Sequence, residues 1–135
     1  MEIIERSATD LARAIRDGEL TSREVVEAHI ANARWRNPDL CAIVADRYDA
    51  ALDEADAADQ KVRQGGELPP FLGVPCTVKE SFAVEGMPNA AGLVHRADLR
   101  AEADAPAVAR LRAAGADRVV RMSDGRVVED TRVAA

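Results

Sequence analysis

One apolar run limits the possible folds of this chain more than any other feature. It extends from Phe71 to Val78, carries β-branched residues at its end, and stops at the charged pair Lys79-Glu80. A run of this kind is typical of a strand buried on both faces, interrupted early here by Pro75. Because amphipathic helices are predicted before and after it, we predict an α/β fold in which helices pack on a partial mixed sheet.

The first two helices are predicted from the residues that cap them. Ser7 can accept a hydrogen bond at the start of the first helix, and Gly18 can take the positive φ that ends it. The sequence Thr21-Ser-Arg-Glu24 has the spacing of a capping box, so a second helix should begin there. Because proline disfavours helical geometry in the preceding residue, this helix is expected to end at Asn37-Pro38.

Two more helices and a short strand complete the predicted elements. The third helix should run over about 46–63, and the fourth from Asp104 to Gly115. The apolar run from Leu40 to Ala45 is short and favours a strand. The apolar spacing predicts the following core residues on the four helices: Leu11, Ala12, Ile15, Val26, Ile30, Ala33, Tyr48, Leu52, Ala55, Val62, Val108, Leu111 and Ala114.

The composition is that of a small globular domain with an aliphatic core. Of the 135 residues, 47% are hydrophobic but only 3% are aromatic, and the net charge is −6. This charge opposes binding to nucleic acid, which favours a basic surface. No stretch resembles a signal peptide or a membrane span, so we predict a cytoplasmic protein without membrane contact. Cys41 and Cys76 are expected to be free, buried thiols, with a disulfide or a nucleophilic role as the alternatives.

Lys79 is the candidate catalytic residue. Burial at the end of a poorly solvated strand would favour a neutral amine over an ammonium ion, and a neutral amine can act as a general base. The chain has 16 Arg and only two Lys, Lys61 and Lys79, which fits a need for a side chain that can lose its proton. The alternative is a structural lysine that reaches the surface or pairs with Glu80 or Asp104.

The same run resembles the signature of a known enzyme family. Leu72-Gly-Val-Pro-Cys-Thr-Val-Lys-Glu80 is similar to the amidase signature, the stretch 84–92 to the family's next loop, and 104–116 to the helix that follows. The resemblance covers residues 7–116 in collinear order. It implies part of an α/β/α fold, hydrolysis of an amide C–N bond without cofactor or metal, and a small amide as the substrate of the full-length family.

In this family the catalytic set is a nucleophilic serine, a second serine held by a cis peptide, and a lysine base. The resemblance assigns the general-base role to Lys79 and carries over no other residue. The Gly-Gly-Ser-Ser-Gly-Gly stretch that forms the family's oxyanion hole does not occur in the sequence. Ser81 could share a strand face with Lys79, but it lacks the backbone donors for an oxyanion. The remaining serines, at cap or loop positions, are Ser7, Ser22 and Ser123.

The last twenty residues differ in sequence pattern from the rest of the chain. Two β-branched runs, 118–122 and 126–129, flank Ser-Asp-Gly125 and predict a C-terminal β-hairpin. This tail weakly resembles the closing hairpin of an ABC-transporter ATPase domain, but no phosphate-binding loop precedes it. We therefore predict a truncated amidase-like domain over 1–116 and a hairpin tail over 117–135, introduced by foreign coding sequence or a frame change.

Two functional classes remain open at this point. The first is an amidase-family fragment that is inactive alone, because it lacks both serines. The second is a non-enzymatic module whose unpaired sheet edges favour dimerisation or binding to an amidase subunit. Neither a cofactor nor a metal is expected, since His29 and His95 do not lie near a ligand cluster in the sequence.

Overall fold

The computed structural model describes residues 2–115, and helices account for most of its regular structure. Their order agrees with the sequence prediction, while some of their ends do not. The elements are a 3-10 turn at Ile3–Glu5, α1 (Ala8–Arg16), α2 (Ser22–Leu40), α3 (Tyr48–Gln64), a 3-10 turn at Val94–Arg96, and α4 (Pro106–Ala113).

Side-chain caps begin the first two helices where the sequence predicts them. The Ser7 hydroxyl accepts from the Asp10 N–H at 3.1 Å. In the capping box, the Thr21 N–H donates to Glu24 Oε2 at 2.8 Å, and the Glu24 N–H donates to Thr21 Oγ1 at 3.1 Å. The Thr21 N–H and then the Thr21 hydroxyl lower the pKa of Glu24 by stabilising its carboxylate. Both predicted helix starts are confirmed.

The end of α2 differs from the prediction. The helix continues to Leu40 with Pro38 inside its last turn, and Cys41 caps it in the left-handed conformation with φ 48°. A proline so close to the end removes little of the hydrogen-bond ladder, so the helix is not stopped there. The side-chain amide of Asn37 then exchanges two hydrogen bonds with the backbone of Ile43, at 2.8 and 2.9 Å. The predicted strand over 40–45 is therefore wrong.

The core lies between α1, α2 and α3. Aliphatic side chains of α1 and α2 form one buried cluster, and α2 packs against alanines of α3 in the other. The first cluster contains Leu11, Ala12, Ile15, Val25 and Val74, and the second contains Val26, Ile30, Ala51 and Ala55. Most predicted core positions on these helices are confirmed. On α4 only Val108 is buried, while Leu111 is 41% exposed, contrary to the prediction.

The predicted sheet is not found in the described part of the chain, which contains no regular strand. The run from Phe71 to Lys79 begins with a turn over 71–73, has a single bridge residue at Val74, and continues as irregular chain. The N–H groups of Phe71 and Gly73 donate to the carbonyls of Ala114 and Gly115, at 2.9 and 3.2 Å. A strand needs a neighbour that accepts its hydrogen bonds, and the end of α4 takes two of these donors instead.

Three further predictions concern the surface and the tail. The hairpin over 118–129 lies outside the described residues, as does the tail 117–135. No helix of the described chain has the length and apolarity needed to cross a membrane. Cys41 is a free thiol but is exposed, so its predicted burial is wrong, while Cys76 is half-buried. The position of Cys41 at the end of α2 places it at the surface.

Candidate functional site

Lys79 lies at the surface, in the irregular chain that leaves the core at Val74. Its side chain is exposed, contrary to the burial expected for a strand end. Within residues 2–115, no hydrogen bond or ion pair reaches its ammonium group. Neither Glu80 nor Asp104 pairs with it, but its exposure agrees with the alternative of a structural lysine that reaches the surface. The Lys79 amine is therefore accessible from solvent.

Glu80, the neighbour of Lys79, holds the loop that follows. Its carboxylate accepts from the N–H groups of Ala90 and Ala91, the latter at 2.8 Å. Its carbonyl accepts from the Asn89 side-chain amide at 3.0 Å. Ala91 has φ 51° and Gly92 has φ 75°, so the loop turns sharply where the carboxylate binds it. Three hydrogen bonds therefore fix the loop 89–91 against the residue next to Lys79.

Ser81 does not share a strand face with Lys79. The Phe82 N–H donates to the Lys79 carbonyl at 2.9 Å, which closes a turn over 79–82 and leaves Ser81 exposed within it. The geometric reason for treating Ser81 as a substitute nucleophile is therefore absent.

A buried polar junction anchors the chain that leads to Lys79. Ser22, at the start of α2, is fully buried, and its hydroxyl donates to the Gly73 carbonyl at 2.8 Å. Asp59 of α3 is also buried, and its carboxylate accepts from the N–H groups of Ser22 at 2.7 Å and Arg23 at 3.1 Å. The carboxylate thus satisfies two N–H donors that a helix N-terminus leaves unpaired. The junction joins α2, α3 and residue 73 in one hydrogen-bonded unit.

The residues that lead into α4 hold the segment after Lys79 from the other side. The Ala105 N–H donates to the Ala83 carbonyl at 2.9 Å, and the Glu85 N–H donates to Asp104 Oδ1 at 2.9 Å. Asp104, just before α4, forms an ion pair with Arg112 of that helix, with 2.5 Å between Asp104 Oδ2 and Arg112 Nε. The stretch around Lys79 is therefore tied to both the helical core and α4.

The histidines do not contribute to this site. His29 Nδ1 lies 2.8 Å from the Val25 carbonyl on its own helix, and His95 is exposed in the second 3-10 turn. In the part of the chain that the structure describes, no group of three His, Cys, Asp or Glu residues could hold a metal ion.

Comparisons with known proteins assign the chain that carries this lysine to a family. The model of the amidase family matches residues 24–123, and the chain belongs to that family. It is 51% identical over 117 residues to fatty-acid amide hydrolase 2-A of Danio rerio, covering 82% of this chain and 22% of the relative. It is 46% identical over 110 residues to indoleacetamide hydrolase of Bradyrhizobium diazoefficiens, covering 82% and 21%.

A solved structure agrees with this assignment. The chain matches a bacterial aryl acylamidase of the amidase signature family with a TM-score of 0.78 and 26% identity. The match covers 85% of this chain and 24% of the acylamidase, which supports the α/β fold class although the described residues contribute only its helical part. The chain spans about a fifth of the length of the curated relatives it matches, at 21–22%.

Proposed function

We propose that this chain supplies the lysine-bearing part of an amide-hydrolysing site, with Lys79 as the general base. The observation that carries the proposal is the position of Lys79 within residues 24–123, which match the amidase family, and its amine is accessible beside a loop that Glu80 holds in place. The relatives described above hydrolyse fatty-acid amides and indoleacetamide according to their names, which supports an amide as the substrate class. Membership of the amidase family supports the same reaction for this site.

The proposed chemistry needs two hydroxyl groups that this sequence does not place beside Lys79. A neutral Lys79 amine would take a proton that a second serine relays from the nucleophile, while the nucleophile attacks the amide carbonyl. Backbone N–H groups would stabilise the oxyanion that forms. Since the glycine- and serine-rich stretch is not in the sequence, the lysine supplies one part of a set that acts together.

The purified chain is expected to hydrolyse neither aliphatic nor aryl amides. The reason is that an isolated general base cannot replace the nucleophile and the oxyanion donors. The measurement is release of amine or ammonia from a panel of simple amides, with Lys79→Ala as the matched protein. Turnover by the wild-type chain that disappears in Lys79→Ala would contradict the proposal, because it would show a complete site.

A second candidate function is that of a non-enzymatic interaction module. One observation favours it: large apolar side chains remain exposed in the segment that follows Lys79, among them Phe82 and Val94. The sheet edges through which association was predicted do not occur among residues 2–115, so the apolar surface is the better candidate for contacts with a partner.

We further propose a cytoplasmic location, which the free thiol of Cys41 supports because thiols persist in a reducing compartment. The division into a domain over 1–116 and a tail over 117–135 likewise remains a proposal. The match to the amidase family extends to residue 123, past that boundary.

A further inference from the structure

Glu80 has a half-buried carboxylate whose hydrogen-bond partners are backbone groups. One of its oxygens accepts from the Ala90 N–H, and the other accepts from the Ala91 N–H at 2.8 Å. Lys79 is its neighbour in the chain, yet within residues 2–115 no Lys or Arg forms an ion pair with this carboxylate. The charge of Glu80 is therefore balanced by the N–H dipoles of the loop and not by a cation.

The two N–H donors are successive and end in a left-handed residue. Ala91 has φ 51°, and Gly92 after it has φ 75°. Successive N–H groups in such a turn converge and form a nest, a concavity that binds anions. Because a residue with a Cβ disfavours positive φ, the conformation of Ala91 persists only where its surroundings fix it. Glu80 supplies two charge-assisted hydrogen bonds for this purpose, each about twice as strong as a neutral one.

We propose that Glu80 is a positioning residue of the Lys79 site. Its carboxylate fills the nest at Ala90 and Ala91, which sets the shape of the loop beside Lys79 and leaves the Lys79 amine without an ion-pair partner. The inference rests on the proposed function of Lys79 as a base. A carboxylate that pairs with an amine favours the charged ammonium form, which cannot accept a proton. A carboxylate held by the loop does not oppose the base in this way.

A packing role for the Glu80 side chain predicts a different result from an anion-binding nest. Glutamine has nearly the shape of glutamate, but it offers one acceptor oxygen and an NH2 group that only donates. In Glu80→Gln, one of the two loop N–H groups would therefore face a second donor. The nest predicts that this substitution loosens the loop, whereas packing alone predicts that the loop keeps its shape.

The test measures amide hydrogen exchange of the full chain by NMR, with the N–H groups of Ala90 and Ala91 as reporters. We expect Glu80→Gln to speed their exchange by about 10-fold or more, since one charge-assisted hydrogen bond becomes neutral and the other is lost. The helical circular dichroism should stay that of the wild type, because Glu80 lies outside the helices.

Two further variants separate the nest from other effects of charge. Glu85→Gln removes the same charge from an exposed glutamate of the same segment. It should change the exchange at Ala91 by less than about threefold, since exposed charges contribute little. Lys79→Ala should likewise leave the exchange at Ala91 nearly unchanged, because the loop, and not the lysine, holds the Glu80 carboxylate.

Three outcomes would overturn the proposal. The first is exchange at Ala90 and Ala91 that Glu80→Gln speeds no more than Glu85→Gln does. The second is acceleration by Lys79→Ala as large as that by Glu80→Gln, which would make the lysine the partner of the carboxylate. The third is a loss of helical circular dichroism in Glu80→Gln, which would show that the carboxylate supports the core. Exchange is measured without turnover, so the nest fails on exchange rates and the proposed function fails separately on hydrolysis.

Discussion

Gly73→Ala should lower the free energy of unfolding by about 3 kcal/mol, the sum of a steric overlap and of backbone strain. A Cβ at this position would lie 2.6 Å from Ser22 Oγ and 2.7 Å from Ser22 Cβ, inside the fully buried start of α2. Gly73 also has φ 77°, a conformation that a side chain disfavours. Urea denaturation followed by circular dichroism at 222 nm measures the loss.

Gly86→Ala is the matched control for the contribution of backbone strain to the loss of stability. Gly86 has φ 76°, almost the same as Gly73, but a Cβ there would meet nothing within 4 Å. We expect Gly86→Ala to cost about 1 kcal/mol from strain alone. If Gly73→Ala lowers the free energy of unfolding no more than Gly86→Ala does, the close contact between residue 73 and Ser22 does not exclude a side chain. Our account of how the Lys79 segment is anchored would then be wrong.

Asp59→Ala should lower the free energy of unfolding by about 2–3 kcal/mol, measured in the same way. The substitution removes the acceptor of two N–H groups at the start of α2, those of Ser22 and Arg23. Ser22 is fully buried, so its N–H group would lose a partner where water cannot replace it. An unpaired buried donor costs more than the net value of an average hydrogen bond.

Asp56→Ala tests whether this loss is specific. Asp56 lies one turn earlier on the same helix and forms an exposed ion pair with Arg23 at 2.7 Å, where its side chain is 51% exposed. Its removal should cost less than about 1 kcal/mol, because exposed ion pairs contribute little. Both substitutions change helix propensity equally. Equal losses for the two variants would show that Asp59 acts as an ordinary surface charge.

The helices of this fold could be predicted because their signals are local. The Thr21–Glu24 capping box and the apolar spacing of Val26 and Ile30 depend only on residues within a few positions of one another. The predicted end of α2 at Asn37-Pro38 is wrong because a proline in the last turn leaves most of the hydrogen-bond ladder intact.

The predicted strands over 40–45 and 71–78 are not found among the described residues, for a different reason. The apolar run from Phe71 to Val78 has the composition of a strand, but a strand forms only where another segment accepts its hydrogen bonds. In the described structure the end of α4 bonds Phe71 and Gly73 instead. No local pattern in the sequence indicates which partner the backbone of residues 71–73 will find.

The candidate site was predictable only in part. The resemblance to the amidase signature identified Lys79, but the exposure of its side chain and the hydrogen bonds from Glu80 to residues 90 and 91 depend on the tertiary fold. The sequence does carry a local signal for the buried junction. Asp59 lies four residues after Ala55, on the apolar stripe of α3, and a carboxylate at such a position indicates a buried partner.

The central claim is the proposal that Lys79 is the base of an amide-hydrolysing site whose serines are not among the residues of this sequence. The most direct measurement is the initial rate of amide hydrolysis by this chain mixed with the portion of the Bradyrhizobium indoleacetamide hydrolase that lies beyond its match to this chain. The account predicts turnover that neither polypeptide shows alone and that falls by about 100-fold or more with Lys79→Ala, the usual contribution of a general base. Turnover by the mixture that Lys79→Ala leaves unchanged would contradict it.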